Sequence, residues 1–142
     1  MREIKFRAKN RAGDWCYGDL FLHCKHPNIK RIGAGNRSTY IDTDTIGQFT
    51  GLVDKNEKEI YEGDIVRMHF FGQGFGPNWG VTETDEEVIG EIAYCNNWGR
   101  FYVKALKPRH KDDDCIYGLE LMEEPTEEIE VIGNKWDNTE LL

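Results

Sequence analysis

Ile4, Phe6 and Ala8 alternate with Lys5, Arg7 and Lys9, a period of two that predicts a strand with one apolar and one cationic face. Asn10-Arg11-Ala12-Gly13-Asp14 has hairpin-loop chemistry, and the aromatic and aliphatic run from Asp14 to Leu22 supplies the returning strand. After His23-Cys24-Lys25-His26-Pro27-Asn28 the chain turns polar and Gly-rich through Gly33-Ala34-Gly35-Asn36, which reads as a loop. Strand character returns at Thr39-Tyr40-Ile41 and Ile46 to Thr50. Asp54-Lys55-Asn56-Glu57-Lys58 and Glu62-Gly63-Asp64 read as turns, and Ile65 to Phe71 as a strand. Gly72 to Gly80, with four glycines and a proline, predicts a long loop. Four further strands are expected at Val88–Cys95, Phe101–Leu106, Ile116–Met122 and Glu128–Ile132; Thr126-Glu127-Glu128 after Pro125 offers a short helix as the alternative.

Many short strands and no sustained helical period predict an all-β fold. A Gly-Asp turn opening a β-branched strand, then a long loop and Ile89-Gly90-Glu91-Ile92, predicts a small SH3-like barrel in the C-terminal part. The expected organisation is one unit over 1–142, with an N-terminal β-hairpin lobe over about 1–56 and a barrel-like part over about 57–142.

Three blocks carry a family resemblance. They are Met1 to Ala8, the run from Gln48 to Val66, and Ile129 to Asn134 with Leu141-Leu142. In this order they resemble the YopX family, small proteins encoded by phages and prophages and mostly of unassigned function. The resemblance implies a mostly β structure with a compact C-terminal barrel, a phage or prophage origin and expression inside a bacterium. It offers no catalytic residues. The stretches from Gln73 to Glu87 and from Pro108 to Asp114 depart from the family pattern in length or composition. Within the central run, Phe49, Gly51, Asp54, Asn56, Ile60, Tyr61, Gly63 and Asp64 read as a structural motif of turns and core positions, with Leu52 and Ile65 as further core residues.

Charge changes the picture. The 142 residues carry a formal net charge of −8, which disfavours nucleic acid and anionic membranes as partners of the whole chain. The distribution is uneven. Residues 1–37 hold nine basic and three acidic side chains, a net +6, whereas residues 111–142 hold eleven acidic and two basic ones, a net −9. Nucleic acid therefore stays open on one face, through Lys5, Arg7 and Lys9, and opposite charge at the two ends favours homo-oligomers. No run of apolar residues approaches membrane-spanning length and the start lacks a signal-peptide core, so a soluble protein in the cytoplasm of a bacterial host is expected, with no membrane partner.

Cys16, Cys24, Cys95 and Cys115 with His23, His26, His69 and His110 raise the question of metal. No two cysteines have zinc spacing, and on a strand His23 and Cys24 point to opposite faces, so no metal or other cofactor is expected. An intracellular setting predicts free thiols. Gly72-Gln73-Gly74-Phe75-Gly76 is followed by Pro77 and no helix, unlike a phosphate-binding loop. No nucleophile, base and orienting group can be assembled, so the chain reads as a non-enzymatic accessory protein that binds a host or phage protein or itself. Phe71, Phe75 and Trp79, at or in the expected loop, are the candidate protein-binding residues. The alternative is a nucleic-acid module on Lys5, Arg7 and Lys9; a metal-dependent enzyme around His23, Cys24 and His26 ranks below both.

Overall fold

The computed structural model describes residues 3–22, 25, 30–34, 37–75, 81–107 and 129–142, with backbone alone for 70–75 and 81–86. Ten strands account for most of them: β1 (Phe6–Lys9), β2 (Trp15–Leu22), β3 (Lys30–Ala34), β4 (Arg37–Tyr40), β5 (Gly47–Val53), β6 (Glu59–Tyr61), β7 (Asp64–Phe75), β8 (Val81–Cys95), β9 (Arg100–Lys107) and β10 (Ile129–Asn134). Short 3-10 turns lie at Thr43–Thr45 and Thr139–Leu141. The expectation of an all-β chain holds. No helix among the described residues is long and apolar enough to cross a membrane.

The chain forms two units: Met1–Leu52 with Glu59–Glu62, and Val53–Lys58 with Gly63–Leu142. In the first unit six strands form one sheet in the order β4-β3-β2-β1-β5-β6. The β1–β2 hairpin forms where loop chemistry predicts it. Asn10 Oδ1 accepts the backbone N–H groups of Ala12 at 3.0 Å and Asp14 at 2.9 Å, closing the turn. Ile4 is 62 % exposed and precedes the strand, so the inward apolar alternation starts at Phe6. Phe6, Ala8, Cys16, Leu20, Ile32, Ile41 and Ile46 make the apolar cluster beneath the sheet. A bridge between Asn10 and Ile41 ties the end of β4 back to the end of β1 and wraps the sheet around that cluster. Strand β3 corrects the expectation of a loop through Gly33. Its single inward apolar side chain, Ile32, is too weak a pattern to read, and Gly33 is needed because a Cβ there would overlap the Arg37 carbonyl of β4.

In the second unit four antiparallel strands run in the order β10-β7-β8-β9. Ile65, Val66, Met68, Val88, Ile92, Val103 and Ile129 are buried there. Strands β9 and β10 lie at opposite edges, so the described strands form an open sheet, not the closed SH3-like barrel expected. The expected loop from Gly72 is also corrected: Gly72–Phe75 pairs with Val81–Thr84 as the outer part of a long β7–β8 hairpin. Cross-strand pairing to the β-branched Thr82 and Thr84 carries the glycines into a ladder that their own propensity opposes. The strand expected at 116–122 and the helix alternative at 126–128 lie outside the described residues.

Candidate functional site

The face of the six-stranded sheet opposite the apolar cluster concentrates the chemistry of the first unit, buried at Arg7, Phe49 and Tyr61 and open at Tyr17, Phe21 and Tyr40. Alternation along β1 sends Ala8 into the cluster and Lys5, Arg7 and Lys9 to the other side. The register sets Arg7 opposite Tyr17 and Lys9 opposite Trp15. Phe49 of β5 and Tyr61 of β6 complete the neighbourhood, their ring centroids 5.4 Å apart, and Tyr17 meets the Tyr61 ring edge-on at 5.7 Å.

These side chains form an ordered series. The Arg7 guanidinium, 5 % exposed, lies 5.0 Å from the Tyr61 ring and 4.6 Å from the Trp15 ring. Lys9 Nζ sits 5.3 Å from the same Trp15 ring. Two residues further on, Arg11 lies 5.2 Å from the Tyr40 ring, which Arg31 approaches at 4.8 Å. Arg31 also donates to the Ser38 carbonyl at 3.1 Å, which fixes its plane. The result is a track of alternating rings and cations, Tyr61-Arg7-Trp15-Lys9 and then Arg11-Tyr40-Arg31. The Asn10–Ile41 bridge holds its two halves together. Tyr17 (54 % exposed), Phe21 (41 %) and Tyr40 (44 %) present the open rings of this face.

Lys5 has a different role. Its Nζ is 2.6 Å from Glu59 Oε2 and 3.7 Å from Glu3, and 4.9 Å from the Phe49 ring. The hydrogen bond and charge of Glu59 hold its ammonium above the usual lysine pKa. Tyr61 Oη donates to Glu59 Oε2 at 2.9 Å; burial first, and Glu59 second, push its phenol well above the ordinary value. For both groups the protonated form is favoured by folding. The stability they contribute is complete below about pH 10 and is lost as pH rises beyond it. The expected result in alkaline denaturation is that Tyr61→Phe flattens the fall in stability above about pH 10, at a cost near neutrality of about 1 kcal/mol. An unchanged alkaline profile in that variant would contradict the assignment.

The remaining sequence candidates fall elsewhere. Phe71 and Phe75 belong to β7, their backbones paired with Asp85 and Val81; Trp79 lies outside the described residues. So do His23, Cys24, His26, His110 and Cys115. His69 pairs with Glu87 at 3.4 Å, in a run of charges with Arg67, Glu130 and Lys55 across the second unit's sheet. Cys16 is free, whereas Cys95 is disulfide-bonded, which corrects the expectation of free thiols throughout. A second aromatic patch, missed in the sequence, joins Tyr94 and Trp98 at the β8–β9 turn, with Arg100 5.8 Å from the Trp98 ring. In the central run, Phe49, Ile60 and Tyr61 are buried and Leu52 is only half-buried. Gly51 is exposed at φ 88°, and Asp54, Asn56, Gly63 and Asp64 lie in or beside turns.

The family model described as YopX protein matches residues 5–142. The crystal structure of protein EF1440 from Enterococcus faecalis shares 24 % sequence identity and superposes with a TM-score of 0.51; the alignment covers 100 % of this chain and 99 % of that one, a likeness of fold. No curated protein matches.

Proposed function

The chain belongs to the YopX family, and from that premise we propose that it is a non-enzymatic accessory protein of a phage or prophage that works by binding, with the ring–cation track of its six-stranded sheet as the contacting surface. The exposed rings and cations of the track, Arg11, Tyr40 and Arg31 with Tyr17 and Phe21 on the same face, carry this reading. Trp, Tyr and Arg are the side chains that dominate binding energy at macromolecular contacts, because each combines a large rigid contact area with a polar handle. Here they are held in place by one another, so little ordering is left to be done on binding. The chemistry of the surface selects a partner with negative charge.

Cross-linking and capture by the tagged full-length chain test this. Tyr40→Leu combined with Arg31→Gln, both on exposed side chains, is expected to remove the partners that the unaltered chain recovers, while Trp98→Leu on the second unit leaves them in place. Equal recovery by all three proteins would refute the reading.

A further inference from the structure

We infer that the occupant of the ring–cation track is a single-stranded nucleic acid, a step that rests on the track being the binding surface. The carrying observation is the match between two alternations. Along the sheet, accessible π-surfaces and cations follow one another as Trp15, Arg11, Tyr40 and Arg31, with the open rings of Tyr17 and Phe21 on the same face, whereas Tyr61 and Arg7 are buried. A single-stranded nucleic acid alternates planar bases with phosphates in the same way. Rings and the flat faces of guanidinium groups both stack on bases, and every base has such a face. An acidic peptide would use the cations but leave Tyr17, Phe21 and Tyr40, all more than 40 % exposed, without matching flat groups. A duplex keeps its bases stacked internally and would meet the cations alone.

Charge complementarity is local. Lys5 is committed to Glu59 and Glu3, and Arg7 is buried between its rings, so these two build the surface instead of reaching phosphates. Arg11 and Arg31, both exposed, are the groups that contact phosphate. Asp19, exposed on the same face of β2 between Tyr17 and Phe21, opposes a phosphate there and accepts from base amino groups. The overall −8 does not prevent binding, because at ordinary salt charges act over about 10 Å, and the cations nearest the strand dominate.

The test is fluorescence anisotropy with labelled oligothymidylate and oligouridylate of about fifteen nucleotides, a length that one such surface covers, and with a duplex of equal length. Both single strands are expected to bind the full-length chain more tightly than the duplex. Two phosphate contacts predict about a 7-fold loss of affinity between about 50 mM and about 200 mM salt. Tyr40→Leu is expected to weaken single-strand binding about tenfold through lost stacking. Arg11→Gln lowers the salt dependence, and Tyr94→Leu on the second unit changes nothing. The inference is overturned if no anisotropy change occurs at low salt, or if duplex and single strand bind alike and Tyr40→Leu is without effect. If the oligonucleotides fail while Tyr40→Leu with Arg31→Gln still abolishes capture of a protein partner, the track binds an acidic protein and only the nucleic-acid step falls. If neither assay responds to the track variants, the binding surface itself is wrong.

Discussion

Replacing Asp54 by Ala is expected to destabilise the second unit by about 3 kcal/mol, read as a lower denaturant midpoint. Asp54 is 1 % exposed. Its Oδ1 accepts from Asn56 N–H at 2.8 Å and Lys58 N–H at 2.9 Å, closing the turn before β6, and its Oδ2 accepts from Val131 N–H of β10 at 2.9 Å. One carboxylate thus joins a local turn to a strand 77 positions later. The Lys55 N–H donates to the Ile129 carbonyl at 3.0 Å beside it. Truncation leaves three donors without that acceptor, and Asn56 and Lys58, being exposed, recover part of the loss from water. Asp54→Asn separates the two roles. Its carbonyl oxygen can replace Oδ1 at the turn, but its amide then opposes the Val131 N–H, donor against donor, so about half of the loss is expected to remain. A midpoint for Asp54→Ala within error of the unaltered chain would show that the carboxylate is not what ties the turn to β10.

Asp54 also explains what the sequence could disclose. The central family run is readable as turn chemistry because Asp54 binds the N–H groups of Asn56 and Lys58 and Gly63 takes a left-handed turn conformation, and local geometry follows local sequence. The partnership of Asp54 with Val131 was not readable, since nothing in either segment encodes contact over that separation. The same division governs the candidate site. Alternation in β1 placed Lys5, Arg7 and Lys9 on one face, but their chemistry depends on rings from other strands: Trp15 from β2, Phe49 from β5 and Tyr61 from β6. Arg11 and Tyr40 meet beside the bridge between Asn10 and Ile41, a pairing that only the fold creates. Net charge by segment points to the N-terminal cations as a group and does not distinguish Lys5, bound to Glu59, from the exposed Arg11. The strand misread as loop over Gly72–Phe75 has its cause in partner-dependent pairing, where the ladder to Val81–Thr84 overrides the low strand propensity of glycine. The central family run therefore contributes scaffold to both units, Phe49, Ile60 and Tyr61 to the first and Asp54 and Gly63 to the second, while the track arises mostly from residues outside it.

Gly63→Ala is expected to cost the second unit about 3 kcal/mol, by two separable effects. Gly63 has φ 85°, a left-handed conformation that costs an L-residue about 1 kcal/mol. A Cβ at this position would also overlap the Trp136 ring, and overpacking of this kind adds about 2 kcal/mol. The backbone around it has little room to yield. Gly63 N–H donates to the Ile92 carbonyl at 2.8 Å and its own carbonyl accepts from Lys135 N–H at 2.9 Å, so the turn is fastened to β8 on one side and to the segment after β10 on the other. Gly63→Asn, which tolerates the left-handed conformation but still carries a Cβ, is expected to recover no more than about 1 kcal/mol relative to Ala. Combining Gly63→Ala with Trp136→Leu relieves the overlap, and a double-mutant cycle should return a favourable coupling of at least about 1 kcal/mol. Full recovery by Asn with no coupling to Trp136 would mean that backbone conformation alone requires the glycine. A large coupling would mean that the turn is selected because it lets the tryptophan ring pack directly on the main chain, closing the end of the sheet at β7 and β10.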